Sequence, residues 1–566
     1  MKKTAIITLV FILFISTSLI TGCKLFDSIS SSTGAVTPLL SDNDPSAKIR
    51  RGAGVFIIAT DSAKILAQSG TILELSEYAE GISVELPVDN NREVVYSLIV
   101  NNEHTEAQSI RLFHETAASI KASIYEQHHA PLPSTDMTNT RWGNLEAKAR
   151  VEENLRRQFR SQSQRSGAMG SLRAVPDHSN ENLNDTVDIK IIADGTATSY
   201  KNITTELREI SEHAKFFVDN TCSGTYDITD DDLNHFAYEF ESFIYPLFSE
   251  HYSPVQGVSP VLDVDEDGKL SIVFSKEYSR LGFAGLFNSA DFVSNGNNRD
   301  MIGVWAPGYS EKFHGEYWRA ATRETIAHEM QHAANYSAKG FTNLEAEWLD
   351  ESLSVGVEAR YRKLRAEKGK TTLSGYNETS QTDSVANDNR FGSWLESSNI
   401  GMESWAGAYN HYGQKGLFNF YLYEQFGSAF IKAMHNSTNL IGKQNINNLL
   451  TSQGDGRNFD QVVRDWKTAA LNEVLVFRGL IQKSQITDPK HKYTETMFPD
   501  ILKTSAAYKL TKDIDLGNGS LSTFVNPGAA IFFKITQPAA YSGNNTFRVV
   551  SEGYALSLRM IRLTPN

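Results

Sequence analysis

The sequence predicts an α+β protein, and three observations lead there. Short β-rich runs fill residues 51–130, a block over 188–490 mixes strand-like runs with long helical patterns, and strand-like runs return over 491–566. A chain of 566 residues has room for two to four domains.

The first residues carry a sorting signal. Lys2 and Lys3 precede the apolar run "TAIITLVFILFISTSLI", whose core is too short and wrongly flanked for an ordinary membrane span. The run closes on Ile20-Thr21-Gly22-Cys23, which resembles a bacterial lipobox. Residues 1–22 are therefore expected to be a lipoprotein signal peptide and Cys23 the lipidated mature N-terminus, with plain secretion as the alternative. Several acyl chains on Cys23 would anchor the protein stably, where a single chain would not. The expected location is the bacterial cell envelope, outside the cytoplasm, on the outer membrane or cell surface. Removing residues 1–22 takes away two of 54 basic residues and no acid, so the charge moves from −13 to 52 − 67 = −15. Such an acidic chain has no electrostatic reason to bind nucleic acid. With Cys23 lipidated, Cys222 has no partner for an intramolecular disulfide and reads as a structural or incidental thiol.

Residues 23–50 are small and polar, as suits a tether. The runs "GVFIIAT", "TILEL", "ISVELPV", "VVYSLIV" and "QSIRLF" then predict an N-terminal, sandwich-like β domain over 51–130. Residues 131–187, rich in Arg, Ser, Gln and Asn, read as a linker with a short helix. In the block 188–490, "VDIKIIA" reads as a strand, and "TELREISEHAKFFVD" is expected to contain a helix, with a strand beside it as a further reading. "DLNHFAYEFESFIYPLF" has helical periodicity, with Thr229 or Asp230 as its cap. At the C-terminus, "AAIFFKI", "TFRVVS" and "YALSLRMIRL" predict a second small β domain over 491–566.

The chemistry centres on "ETIAHEMQHAANYS", Glu324 to Ser337. Thr325 to Ser337 is rich in helix formers, with Gly340 as a stop. Residues four apart share a helix face, so His328 and His332 can present both rings to one ion. Glu329 lies about 100° further round, placed to reach a water on that ion without joining its ligands. Zinc lowers the pKa of such a water, and a carboxylate can take its proton during attack on a carbonyl. A zinc with one open position needs a third protein ligand. Glu351 follows His332 after 18 residues, in the helical-looking stretch "EAEWLDESLSVGVEARY". Glu345, Glu347 and Glu358 are rivals on spacing alone.

His328-Glu329-x-x-His332, 18 residues, then Trp348-Leu349-Asp350-Glu351 resembles the gluzincin clan of metallopeptidases. "DVDEDGKLSIVFS", "IAHEMQHAANY", "EWLDESLS" and "HYGQKGLFNFYLYEQFG", in that order over about residues 190–480, resemble the hyicolysin-like neutral metallopeptidases within it. The resemblance implies a mixed sheet with an active-site helix and a helical subdomain. It also implies one catalytic zinc, ligands His328, His332 and Glu351, Glu329 as general base, and protein or peptide substrates. The amine-capturing Gly-x-Met-Glu-Asn element of the clan's aminopeptidases is missing: "GAMGS", Gly167 to Ser171, lacks the glutamate and lies far upstream. That favours an endopeptidase. Tyr409, His411 and Tyr412 are candidates to stabilise the oxyanion, and Tyr412 fits the family-like element best; packing aromatics are the alternative. "DMIGVWAP", Asp300 to Pro307, reads as a strand that could receive substrate as an added strand if it forms a sheet edge.

Asp263, Asp265 and Asp267 alternate before Gly268, half of a calcium loop. A full loop would carry glutamate where Phe274 stands, so structural calcium and an acidic turn are equal readings. At the level of function, a surface-adhesion or ligand-binding lipoprotein on a protease-like scaffold is the alternative to an enzyme.

Overall fold

The computed structural model describes most of residues 178–493, with strand segments between 49 and 114 and between 511 and 563. The signal segment, Cys23, residues 23–48 of the expected tether and residues 131–177 of the expected linker lie outside the described residues. The described chain is a mixed α+β fold. Its strands begin with β1 (Ile49–Gly52), β2 (Val55–Ile58), β3 (Ile72–Tyr78), β4 (Ile82–Glu85), β5 (Val94–Asn101) and β6 (Gln108–His114). The central strands are β7 (Thr186–Ile192), β8 (Tyr200–Ile210), β9 (Ala214–Asp219), β10 (Leu270–Ser275), β11 (Gly285–Leu286) and β12 (Met301–Trp305). The last are β13 (Thr511–Asp515), β14 (Ser520–Val525), β15 (Ala530–Gln537), β16 (Thr546–Ser551) and β17 (Leu556–Leu563).

The central sheet has the order β11-β12-β10-β9-β8-β7. β9, β10 and β12 run parallel, and every residue in them is buried, as expected of parallel strands covered on both faces. β7, β8 and β11 pair antiparallel at the two sides. The expectation of a helix in "TELREISEHAKFFVD" is corrected, and the strand reading holds: β8 and β9 occupy it. Buried and exposed side chains alternate through the middle of β8, and pairing with β7 and β9 satisfies its backbone on both sides. β12 is a strand as expected, but it is not the edge, because the two-residue β11 lies outside it.

The flanking β regions also differ from expectation. β5 pairs with β15 and β17, while β6 pairs with β14 and β16. The two chain ends therefore build shared sheets, β1-β2-β4-β16-β6-β14 and β13-β15-β5-β17-β3, rather than one β domain each. A short β-rich run reveals its period but not its partner. β5, with Ser97 to Val100 fully buried, needs a neighbour on both sides, and the C-terminal strands supply them. This layer meets the central domain where Phe532 packs edge-on against Trp394 at 6.4 Å.

Nine helices complete the described fold: α1 (Asp230–Glu239), α2 (Tyr245–His251), α3 (Lys276–Leu281), α4 (Glu316–Ala338), α5 (Glu347–Glu367), α6 (Val385–Glu396), α7 (Tyr409–Asn436), α8 (Gly442–Gln453) and α9 (Phe459–Phe477). Thr229 caps α1 through a reciprocal capping box with Asp232, worth roughly 0.5–2 kcal/mol. A π-helical turn, Phe240–Ile244, joins α1 to α2. No helix among the described residues is long and apolar enough to cross a membrane.

A buried polar network aligns α1, α4 and α5. Arg323 of α4 reaches His235 Nε2 of α1 at 2.9 Å. One turn on, Glu239 accepts from Tyr361 Oη at 2.6 Å and from Arg365 Nε at 2.8 Å, both on α5. Burial, with Arg323, Arg365 and Arg319 nearby, pushes His235 down to about 2, so the ring is neutral and can accept from Arg323. α7 closes on α5 at a glycine: a Cβ on Gly356 would lie 2.1 Å from Asn419 Oδ1, so only hydrogen fits there.

Candidate metal centre

α4 supplies His328, Glu329 and His332, and α5 supplies Glu351; all four are buried. Nε2 of His328 is 3.3 Å from Glu351 Oε2, and Nε2 of His332 is 3.8 Å from Glu351 Oε1. Ligands at zinc distances of about 2.0–2.2 Å on a tetrahedron stand roughly 3.3–3.6 Å apart, so this spacing suits one shared ion. The three groups offer ligand atoms within 4.8 Å of one another. Neither Nε2 makes a hydrogen bond, although both are buried. Buried polar atoms ordinarily find partners, and two imidazole nitrogens turned toward a carboxylate fit a cation between them.

The opposite ring nitrogens face acids. Nδ1 of His328 lies 2.5 Å from Glu358 Oε1, and Nδ1 of His332 lies 3.0 Å from Asp350 Oδ2. The His328 contact is a hydrogen bond and fixes the tautomer that leaves its Nε2 for a metal, whereas the approach of Asp350 to His332 lacks hydrogen-bond geometry. Glu358 is itself held by Arg390 of α6 at 2.8 and 3.0 Å. Burial alone would raise the Glu358 carboxyl, but Arg390 and His328 hold it well below the usual carboxylate range. Burial likewise pulls His328 down, yet Glu351 and Glu358 outweigh it and hold the ring up to about 9. The pocket is thus built to hold positive charge.

The rivals on spacing separate cleanly. Glu358 sits behind His328 as its anchor. Glu345 is locked in a buried pair with Lys339 at 2.8 Å and accepts from the Gly442 amide at 2.5 Å. Glu347 begins α5 and does not belong to the ligand-competent group.

Glu329 lies under the sheet edge. A Cβ on Gly285, in β11, would come within 2.6 Å of Glu329 Cγ and 2.4 Å of Thr325 Cγ2. The strand therefore passes directly over the carboxylate. Among the oxyanion candidates, the Tyr412 ring lies 6.3 Å from that of His328, with the Arg390 guanidinium 4.6 Å over its face and Trp405 edge-on at 4.7 Å. His411 instead meets the Ser404 carbonyl at 3.2 Å, and burial beside Lys415 pushes it down to about 4.

The acidic turn reorganises the second expectation. Asp263 and Asp265 come together with Asp300, while Asp267 pairs with Lys215 at 2.7 Å. Cys222 is buried, and burial pushes its thiol up to about 12, which makes it unreactive.

Reading the sequence alone missed Asp350, Arg390 and Asp300, and took Glu358 for a rival ligand. Glu358 carried a faint signal, two turns beyond Glu351 on the same helix. Arg390 and Asp300 had none, being brought in by tertiary packing. No family model matches this sequence, and no curated protein is significantly similar to it.

Proposed function

We propose that this chain is a zinc-dependent endopeptidase of gluzincin type, carried outside the cytoplasm on a lipidated Cys23. The supporting observation is the convergence of His328 Nε2, His332 Nε2 and a Glu351 carboxylate, with Nδ1 of His328 engaged by Glu358 and Nδ1 of His332 facing Asp350. A bound zinc would supply Lewis acidity toward a carbonyl oxygen and lower the pKa of a water toward neutrality. Glu329, outside the ligand trio and one residue round the same helix from His328, takes the proton of the attacking water and returns it to the leaving amine. Tyr412, whose ring lies 6.3 Å from that of His328, is our candidate donor toward the oxyanion. The edge strand β11 lies above Glu329, and addition of an extended polypeptide strand at this side of the sheet would suit broad sequence tolerance. The missing amine-capturing element favours internal bonds over N-terminal ones.

The test is metal analysis beside hydrolysis of an unstructured protein such as casein, with and without chelator. The expected result is about one zinc per chain and activity lost on chelation and restored by zinc. Glu329→Gln should keep the zinc and lose activity by roughly 10²–10⁴-fold. Wild-type turnover in that variant would remove the mechanism.

A further inference from the structure

The acidic turn before β10 takes no part in the zinc chemistry, and its geometry calls for another ion. Asp263, Asp265 and Asp300 place one carboxylate oxygen each within 4.8 Å of the others. Oxygens bound to one calcium at about 2.3–2.6 Å can stand up to roughly that far apart. Asp265 is fully buried, and neither of its oxygens meets a hydrogen-bond donor; the group it faces is another carboxyl, that of Asp300. A buried, unpartnered carboxylate is strongly unfavourable unless something positive faces it.

The nearby cations are engaged elsewhere. Lys215 bridges Glu181 at 3.0 Å and Asp267 at 2.7 Å, and Arg299 Nη1 contacts Glu181 and the Ser271 hydroxyl, each at 3.1 Å. Backbone amides partly satisfy the outer acids: Asp263 accepts from Asp267 and Gly268, and Asp300 from Val264. The Lys269 ammonium, beside Asp263 and Asp300 in one small cavity, donates to the Ser211 and Glu212 carbonyls at 2.7 and 2.6 Å. Lys215 and Arg299 thus offset Glu181 and Asp267, and three carboxylates remain converging on one point.

We propose that Asp263, Asp265 and Asp300 bind one hard divalent cation of calcium size, which clasps the turn and the start of β12 behind the metal helix α4. The all-oxygen donor set selects such an ion over zinc. The connection to α4 is direct. The Leu262 amide donates to Ser337 Oγ of α4 at 2.9 Å, and Met330, next to Glu329, lines a small cavity with Asp263 and Asp300. Without the ion, burial and the neighbouring acids push Asp265 up to about 7 and Asp300 well above the carboxylate range, so a proton is the competitor.

The test uses the full purified chain after treatment with a calcium-selective chelator, zinc content being measured in parallel. Titration with calcium chloride should give one saturable site per chain. Calcium several-fold above its Kd should raise Tm by about 2–4 °C. Asp265→Asn should abolish both responses and keep its zinc. In calcium-free buffer its Tm should not fall below that of the wild type, because the buried charge is gone. No saturable heat from the wild type overturns the site, whatever the variant does. So does an unchanged calcium response in Asp265→Asn, or a wild-type Tm that ignores calcium and rises only as pH falls from 8 to 6. Since zinc is counted separately, a chain without zinc would count against the peptidase reading and leave this site to be judged on calcium alone.

Discussion

His328 Nδ1 and Glu358 Oε1 stand 2.5 Å apart, and Arg390 Nη1 donates to both oxygens of the same carboxylate. The glutamate holds the imidazole in the orientation that turns Nε2 toward Glu351. Glu358→Gln keeps the shape and loses the charge, so zinc affinity should fall by roughly 10–100-fold. Competition against a colorimetric chelator measures this. Unchanged affinity would mean that packing alone orients the ring.

Glu351 and Glu345 make opposite predictions, although both lie shortly after the histidine pair. Glu351→Gln should lose the zinc. Glu345→Ala should retain one zinc per chain but lose roughly 3–5 kcal/mol of stability, because Lys339 would remain buried without its partner. Denaturant unfolding and metal analysis on both variants check this. Zinc loss in Glu345→Ala at a temperature where it is fully folded would reassign the ligand.

Gly285 tests the approach of β11 to Glu329, the general base we propose. An added methyl would meet Glu329 Cγ at 2.6 Å and its Oε1 at 2.7 Å, too close for both to stay in place. Gly285→Ala should therefore keep zinc and lower kcat by about tenfold or more, because small misplacements of a catalytic group are costly. A variant with wild-type kcat would show that the strand yields and Glu329 does not depend on it.

What could be read in the sequence was mainly local. The spacing of His328 and His332 is a property of one helix, and Thr229 as a cap depends on its neighbours alone. Glu351 required a second helix and was found through the residues around it. Partners chosen by tertiary packing left no trace: Arg390 reaches Glu358 from another helix, and Asp300 replaces Asp267 beside Asp263 and Asp265. The strands of the chain ends show the same limit. The β-rich run "VVYSLIV" revealed β5, but nothing in it named β15 and β17 as its neighbours. In β8, helix-forming residues were overridden by pairing on both sides.

Acid should weaken this fold through two buried neutral histidines. His235 is pushed down to about 2 by burial and by Arg323, Arg365 and Arg319. Burial drives His435 down to about 4 even though Asn436 and Asp350 pull the other way. Both values lie below the unfolded value of about 6.5, so the unfolded chain binds protons that the native one refuses. Their contribution is complete above pH 6.5 and declines as pH falls toward 4, continuing toward 2 for His235. The slope is at most about 1.4 kcal/mol per pH unit for each ring, or up to about 4 kcal/mol for the pair at pH 5. His235→Gln keeps an acceptor for Arg323 and cannot titrate. Denaturant unfolding at pH 7.5 and pH 5 should therefore show an acid-induced loss smaller by about 2 kcal/mol in this variant than in the wild type. Equal losses would mean that the His235 ring takes up its proton within the folded state, and that the Arg323 contact does not require a neutral imidazole.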